Sequence, residues 1–164
     1  MSEHDEELVV AFMKGCWEKR FLAATAESCT GGMIAAMLTE VPGASAVFDR
    51  GFVTYSNDAK LEMLGVLPET LEQHGAVSQA TALEMAVGAI ANSKAGIALS
   101  VTGIAGPDGG SDDKPVGLVW FGIAVEGRKP LAIKRIFENG RREFIRKEAA
   151  RSALQYGIEA LRGA

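Results

Sequence analysis

Apolar side chains recur at helical spacing at Leu8, Val9, Phe12, Met13 and Cys16, which predicts an amphipathic helix from Glu6 to Lys19 with a charged outward face. Phe21 to Ala26 is an apolar segment of strand length. It runs into the polar turn Glu27-Ser28-Cys29-Thr30-Gly31-Gly32, after which Met33, Ile34, Met37, Leu38 and Val41 resume helical spacing. The order is strand, turn, helix, and Pro42-Gly43 ends it. The Val, Phe, Thr and Tyr content of Ala46 to Tyr55 predicts a second strand, followed by a short helix through Leu64 with Ser56 or Asn57 as its cap and Gly65 as its stop.

In the second half, Ala76 to Ala91 has a period near 3.6 and is opened by Ser78, so it reads as a long helix. Ile97 to Val101 is a buried strand that breaks at the glycine-containing loop Thr102 to Gly110. Val116 to Val125 and Leu131 to Phe137 are strands joined by the five residues Glu126 to Pro130, short enough for an antiparallel hairpin. Asn139-Gly140 reads as a turn, and Phe144, Ala149, Ala150, Ala153, Leu154, Gly157, Ile158 and Leu161 form the apolar stripe of a terminal helix. The expected fold is α/β: one domain over residues 1–164, a three-layer sandwich with a mixed sheet and helices on both faces, and residues 1–5 as a frayed tail.

Composition narrows the function classes. Lys plus Arg number 17 against 21 Asp plus Glu, a formal net charge of −4, so nucleic acid is not expected as a partner. The longest stretch free of charge, Ala95 to Pro107, is well short of the ~20 apolar residues of a membrane span. An acidic N-terminus is unlike a secretory signal, and two cysteines, Cys16 and Cys29, offer no disulfide framework; a cytoplasmic location is expected. Glycine is frequent, 19 of 164 residues against a usual ~7%. Tight turns that bring backbone close to a ligand are one use for such an excess.

Two loops are candidates for chemistry. Ser28 to Gly32 joins a strand to a helix, where free backbone N–H groups attract anions, although its spacing alone reads first as a tight connection capped by Ser28 or Thr30. Thr102 to Gly110 lies at a strand end, where ligands bind in open α/β sheets, but lacks the GxGxxG fingerprint, and no Gly-Lys dipeptide exists for a P-loop. His4, in the expected tail, and His74, in a polar turn, are poorly placed as a general base. A serine nucleophile then needs a lysine or tyrosine of lowered pKa. Tyr55 and Lys60 flank a strand-to-helix turn, and with Asn57 as cap the positive end of the helix dipole would push Lys60 towards its neutral form. Spacing alone is also satisfied by a half-buried strand Tyr55, a solvated Lys60 and an ordinary loop Ser45. Cys29 reads as a small buried residue, and His4-Asp5-Glu6-Glu7 as a solvated charge run rather than a metal site. Seven basic residues lie between Lys134 and Arg151. Of these Arg142, at the helix start, is best placed to reach an anionic ligand while its neighbours stay in water.

Ala26-Glu27-Ser28-Cys29-Thr30-Gly31-Gly32, Arg50-Gly51-Phe52-Val53-Thr54-Tyr55-Ser56-Asn57 with Lys60, Gly75-Ala76-Val77-Ser78, Ser100 to Pro107 and Pro115-Val116-Gly117-Leu118-Val119 resemble, in this order, the C-terminal domain of the CinA competence/damage-inducible family and its stand-alone nicotinamide-nucleotide amidases. The resemblance spans about Glu6 to Leu161. It implies hydrolysis of the carboxamide of nicotinamide mononucleotide to nicotinate mononucleotide and ammonia, in pyridine nucleotide salvage, with no metal or other cofactor. It implies Ser45 as nucleophile through an acyl-enzyme, with Tyr55 and Lys60 as the basic pair, similar to the Ser-Tyr-Lys chemistry of class C β-lactamases. Ser28, Thr30, Gly31, Gly32, Thr102, Gly103 and Arg142 would bind substrate, and Ser28 is next in line as nucleophile. The pyrophosphatase activity associated with the N-terminal domain of longer relatives is not expected. The competing reading is a non-catalytic pyridine-nucleotide-binding module serving a competence or DNA-damage response. A homodimer is compatible with the apolar side chains of such a domain.

Overall fold

Among the described residues, five strands form one sheet in the order β2-β1-β3-β4-β5, built from β1 (Ala23–Glu27), β2 (Phe48–Val53), β3 (Ile97–Gly103), β4 (Leu118–Val125) and β5 (Leu131–Ile136). β1 pairs in parallel with both β2 and β3, whereas β3–β4 and β4–β5 are antiparallel. The sheet is therefore mixed, as its sequence implied. This computed structural model describes residues 1–138 and 140–163; Asn139 of the turn expected at Asn139-Gly140 lies outside the described residues.

The helices are α1 (Glu3–Lys19), α2 (Met33–Glu40), α3 (Asn57–Leu64), α4 (Pro68–His74), α5 (Gln79–Ala91) and α6 (Arg142–Arg162). β1 and β3 lie in the middle of the sheet, and their residues are buried on both faces apart from half-buried Gly103. Phe12 of α1, Ile34 and Leu38 of α2 and Leu154 of α6 pack on one face against Leu99 and Phe121. On the other face Leu64 of α3 and Met85 and Ala89 of α5 cover Ala24, Ala26, Phe52 and Ala98. Three layers result. Gly88 permits the closest approach on this second face: a Cβ there would fall 1.9 Å from the Leu64 carbonyl oxygen, so α5 holds the end of α3 against the sheet.

The chain leaves β1 through α2 to reach β2 on one side, then returns through α3, α4 and α5 to reach β3 on the other. The two connections diverge at the carboxyl end of β1, which opens a crevice at that edge.

Three local expectations are corrected. Residues 1–5 are not a frayed tail: α1 starts at Glu3 under a capping box between Ser2 and Asp5, and Asp5 is buried against Arg151 of α6. The strand expected from Ala46 begins at Phe48, because Ala44–Ala46 forms a single 3₁₀ turn after Gly43. Helix α4 has no counterpart among the expected elements; Pro68 at its first turn is its local start signal.

Candidate active site

The carboxyl ends of β1, β2 and β3 and the loops that follow them surround a cleft of about 290 Å³, near the lower end of the ~300–1,000 Å³ typical of small-ligand sites. Ser28, Cys29, Tyr55, Lys60, Thr102 and Arg142 line it, together with Ala76, Val77 and Gly103 to Gly106, and with Asp108 and Gly109 at the loop. This is the edge that the divergence of connections opens.

Lys60 is its most unusual residue. Helix α3 is capped at Ser56, whose Oγ accepts from the Ala59 N–H, and it stops at Gly65 in the left-handed region. Lys60 and Leu64, four residues apart, face inward, and Lys60 is only 1% exposed. Its Nζ donates to the Thr54 carbonyl at 2.9 Å, to the Tyr55 carbonyl at 3.2 Å and to Ser28 Oγ at 3.0 Å. No carboxylate pairs with it among the described residues. Burial lowers its pKa below the usual lysine value, and the nearby Cys29 opposes this weakly. The expected direction is right and its cause is corrected: desolvation dominates, and with Ser56 as cap Lys60 is the fourth helical residue. In the neutral amine two N–H groups remain on the carbonyls, and the lone pair is free to accept the Ser28 hydroxyl proton.

Ser28 follows the last residue of β1 and is held on both sides. Its N–H donates to the Val101 carbonyl and its carbonyl accepts from Gly31 N–H, both at 3.0 Å. The turn continues through Gly31 (φ +60°) and Gly32 (φ +98°), backbone conformations that favour glycine. The start of α2 is not an open anion site. Glu27, fully buried, accepts from Ile34 N–H and Thr30 Oγ1 at one oxygen and from Ala35 N–H at the other, so the helix N-terminus already holds a carboxylate of the chain itself. Thr30, Gly31 and Gly32, expected to bind substrate, lie outside the cleft lining. Burial pushes the Cys29 thiol up to about 11, which leaves it a poor nucleophile.

Ser45 is not brought to this cleft. It sits exposed on the 3₁₀ turn before β2, beside a groove formed by Trp17, Arg20, Phe21, Leu22 and Ala46 at the amino ends of the parallel strands. The length of β2, about 20 Å at ~3.3 Å per residue, separates it from Tyr55. The expected convergence of Ser45, Tyr55 and Lys60 does not form. Tyr55 does line the cleft, but Lys60 meets its carbonyl rather than its phenol, whose oxygen accepts from Arg142 Nη2 at 3.2 Å.

Thr102 and Gly103 are in the cleft, and Thr102 Oγ1 donates to the Ala76 carbonyl at 2.7 Å, which fixes the opposite wall. Arg142 reaches it from the first turn of α6 and binds the Gly106 carbonyl through Nη1 at 2.8 Å. Its neighbour Arg146, read from the sequence as a solvated helix residue, instead donates to the Cys29 and Thr30 carbonyls. Only its i+4 spacing from Arg142 hinted at this. Glu27 and Asp108 were missed as well: Glu27 turns onto the start of the helix that follows its own turn, and Asp108 lines the cleft from the loop after β3.

A three-layer α/β domain with a buried serine–lysine pair at the switch point of its strands is the class that this fold and cleft define. The CinA C-terminal domain profile matches residues 5–161, and the chain belongs to that family. It is 53% identical over 131 residues to the Escherichia coli K12 protein named nicotinamide-nucleotide amidohydrolase PncC, covering 80% of this chain and 79% of that protein. The Enterobacter agglomerans protein of the same name is 54% identical over 145 residues, with 88% and 85% covered. A crystal structure of the competence/damage-inducible protein CihA from Agrobacterium tumefaciens superposes with a TM-score of 0.94 at 48% identity over 99% of this chain and 98% of that one.

Proposed function

We propose that this protein hydrolyses the carboxamide of nicotinamide mononucleotide, releasing ammonia and nicotinate mononucleotide, with Ser28 as nucleophile and Lys60 as its proton acceptor. The similarity to amidohydrolases over four-fifths of the chain supports the reaction. The observation that carries the chemistry is the 3.0 Å contact between buried Lys60 Nζ and Ser28 Oγ at the open edge of the sheet.

Neutral Lys60 takes the hydroxyl proton as Ser28 Oγ attacks the carboxamide carbon, and the resulting ammonium returns it to the departing nitrogen, so ammonia leaves and an acyl-enzyme remains. Water then adds by the same route, Lys60 again carrying the proton, and the carboxylate product is released with Ser28 restored. Arg142, with N–H donors to spare beyond Gly106 and Tyr55, supplies positive charge for the 5′-phosphate. Thr102 and Gly103 shape the wall that receives the ring. The partner is a small mononucleotide rather than a nucleic acid. No described helix is long and apolar enough to cross a membrane, and free buried thiols at Cys16 and Cys29 suit the reducing cytoplasm.

Ammonia release from the mononucleotide tests this directly. The wild-type protein is expected to turn over, Ser28→Ala to lose at least ~10³-fold in kcat, and Ser45→Ala to stay within about twofold. Saturable binding without ammonia release from the wild type would select the non-catalytic nucleotide-binding alternative.

A further inference from the structure

We propose that Arg146 is a positioning residue for Ser28, holding the turn after the serine so that Oγ stays on Lys60. This rests on Ser28 being the nucleophile. Arg146 projects from α6 and donates through Nε to the Cys29 carbonyl at 2.9 Å and through Nη2 to the Thr30 carbonyl at 3.2 Å. It does not line the cleft, so its contribution passes through the backbone.

The contact is specific in three respects. A guanidinium presents a fixed fork that spans two successive carbonyls, which an ammonium does not. The backbone runs directly beneath it, since a Cβ at Gly31 would lie 3.3 Å from Arg146 Nη2. Arg146, in the second turn of α6, reaches carbonyls that lie 116 and 117 residues away along the chain. Helix α6 is docked independently by its apolar stripe of Ile145, Ala149, Ala153 and Leu154.

From the opposite direction Glu27 binds Thr30 Oγ1 and the Ile34 and Ala35 N–H groups. The turn is thus gripped by an anion on its donors and a cation on its carbonyls. Because peptide units are planar, fixing the Cys29 and Thr30 carbonyls fixes the two planes that follow Ser28–Cys29. A misplacement of about 1 Å at a reacting atom costs on the order of 10²-fold in rate, which is the margin Arg146 protects.

The test compares wild type with Arg146→Lys, Arg146→Met and Arg146→Ala. It measures kcat and KM for the mononucleotide, the pH profile of kcat, the melting temperature, and the rate at which a fluorophosphonate labels Ser28. In that labelling Oγ bonds to phosphorus, fluoride leaves and Lys60 takes the proton. Arg146→Lys is expected to lower both kcat and the labelling rate about 10- to 100-fold, with KM within about twofold, the pH midpoint unmoved and melting within a few degrees of wild type. Guanidinium ion added to Arg146→Ala should restore part of the lost rate. Wild-type kcat and labelling in Arg146→Lys overturn the proposal, and so does a raised KM at unchanged kcat, which would make Arg146 a substrate contact. If Arg146→Met fails to fold, the lysine variant decides alone. Labelling of wild-type Ser28 without ammonia release would refute the amidase function and leave the Arg146 test standing on labelling rates. Absence of both would remove Ser28 as nucleophile, and this proposal with it.

Discussion

The two ends of the parallel strands each present a serine near an aromatic side chain, and they differ in what stands beside the hydroxyl. At the carboxyl end Ser28 Oγ is 3.0 Å from an amine that is 1% exposed and anchored on two carbonyls. At the amino end Ser45 is exposed on a short turn, next to a groove whose basic residue is Arg20, a guanidinium that offers donors and no acceptor. A serine becomes a candidate nucleophile through an acceptor whose burial favours the neutral amine, and the sheet gathers such a partner only where its connections diverge.

The comparison breaks most sharply at Lys60. Lys60→Met is expected to lower kcat by about 10²–10⁴-fold, measured by ammonia release, while Ser45→Ala leaves it nearly unchanged. The wild-type rate should rise with pH as Lys60 loses its proton, at a midpoint below that of an ordinary lysine, and this limb should vanish from the residual rate of Lys60→Met. Stability follows with a defined sign. The unfolded chain holds the Lys60 proton at pH values where the folded one has lost it, so stability rises with pH between the depressed folded pKa and the ordinary value near 10.5. Denaturant titrations across pH should show that rise in the wild type and not in Lys60→Met.

Away from both ends, Asp5→Asn breaks the buried contact between α1 and Arg151 and is expected to cost about 3 kcal/mol at neutral pH with kcat unchanged. The Arg151 guanidinium holds the Asp5 carboxyl well below the usual carboxylate range. Its contribution is therefore present above about pH 4 and lost as pH falls through that depressed value. The smallest effect belongs to Tyr55→Phe. It removes one exposed hydrogen bond to Arg142 and should raise KM by about two- to tenfold with little change in kcat, whereas a loss comparable to Lys60→Met would return the phenol to the proton transfer.

Much of the architecture was legible because it is local. Ser78 does cap α5, Gly65 does stop α3, and the five residues after Val125 do join antiparallel strands. Period and turn chemistry report such features directly. Helix α4 was missed because its seven residues carry too little apolar periodicity to be seen. Lys60 was singled out for a helix-dipole effect, yet its neutral tendency comes from burial, which depends on Gly88 letting α5 press against the end of α3.

The amino-acid order by itself determined the strands and most of the helices, the mixed sheet, the family resemblance, and the short set of residue types able to do acyl chemistry without histidine. Which serine meets the lysine was decided only by the tertiary structure. Ser28 and Lys60 are 32 residues apart, Arg146 is more than 100 residues from the turn it holds, and Ser45, nearer to Lys60 along the chain, lies at the far end of a strand. Spacing fixes which way a side chain points from its own element. Contact between elements depends on crossover direction and on burial, which sequence periodicity does not encode.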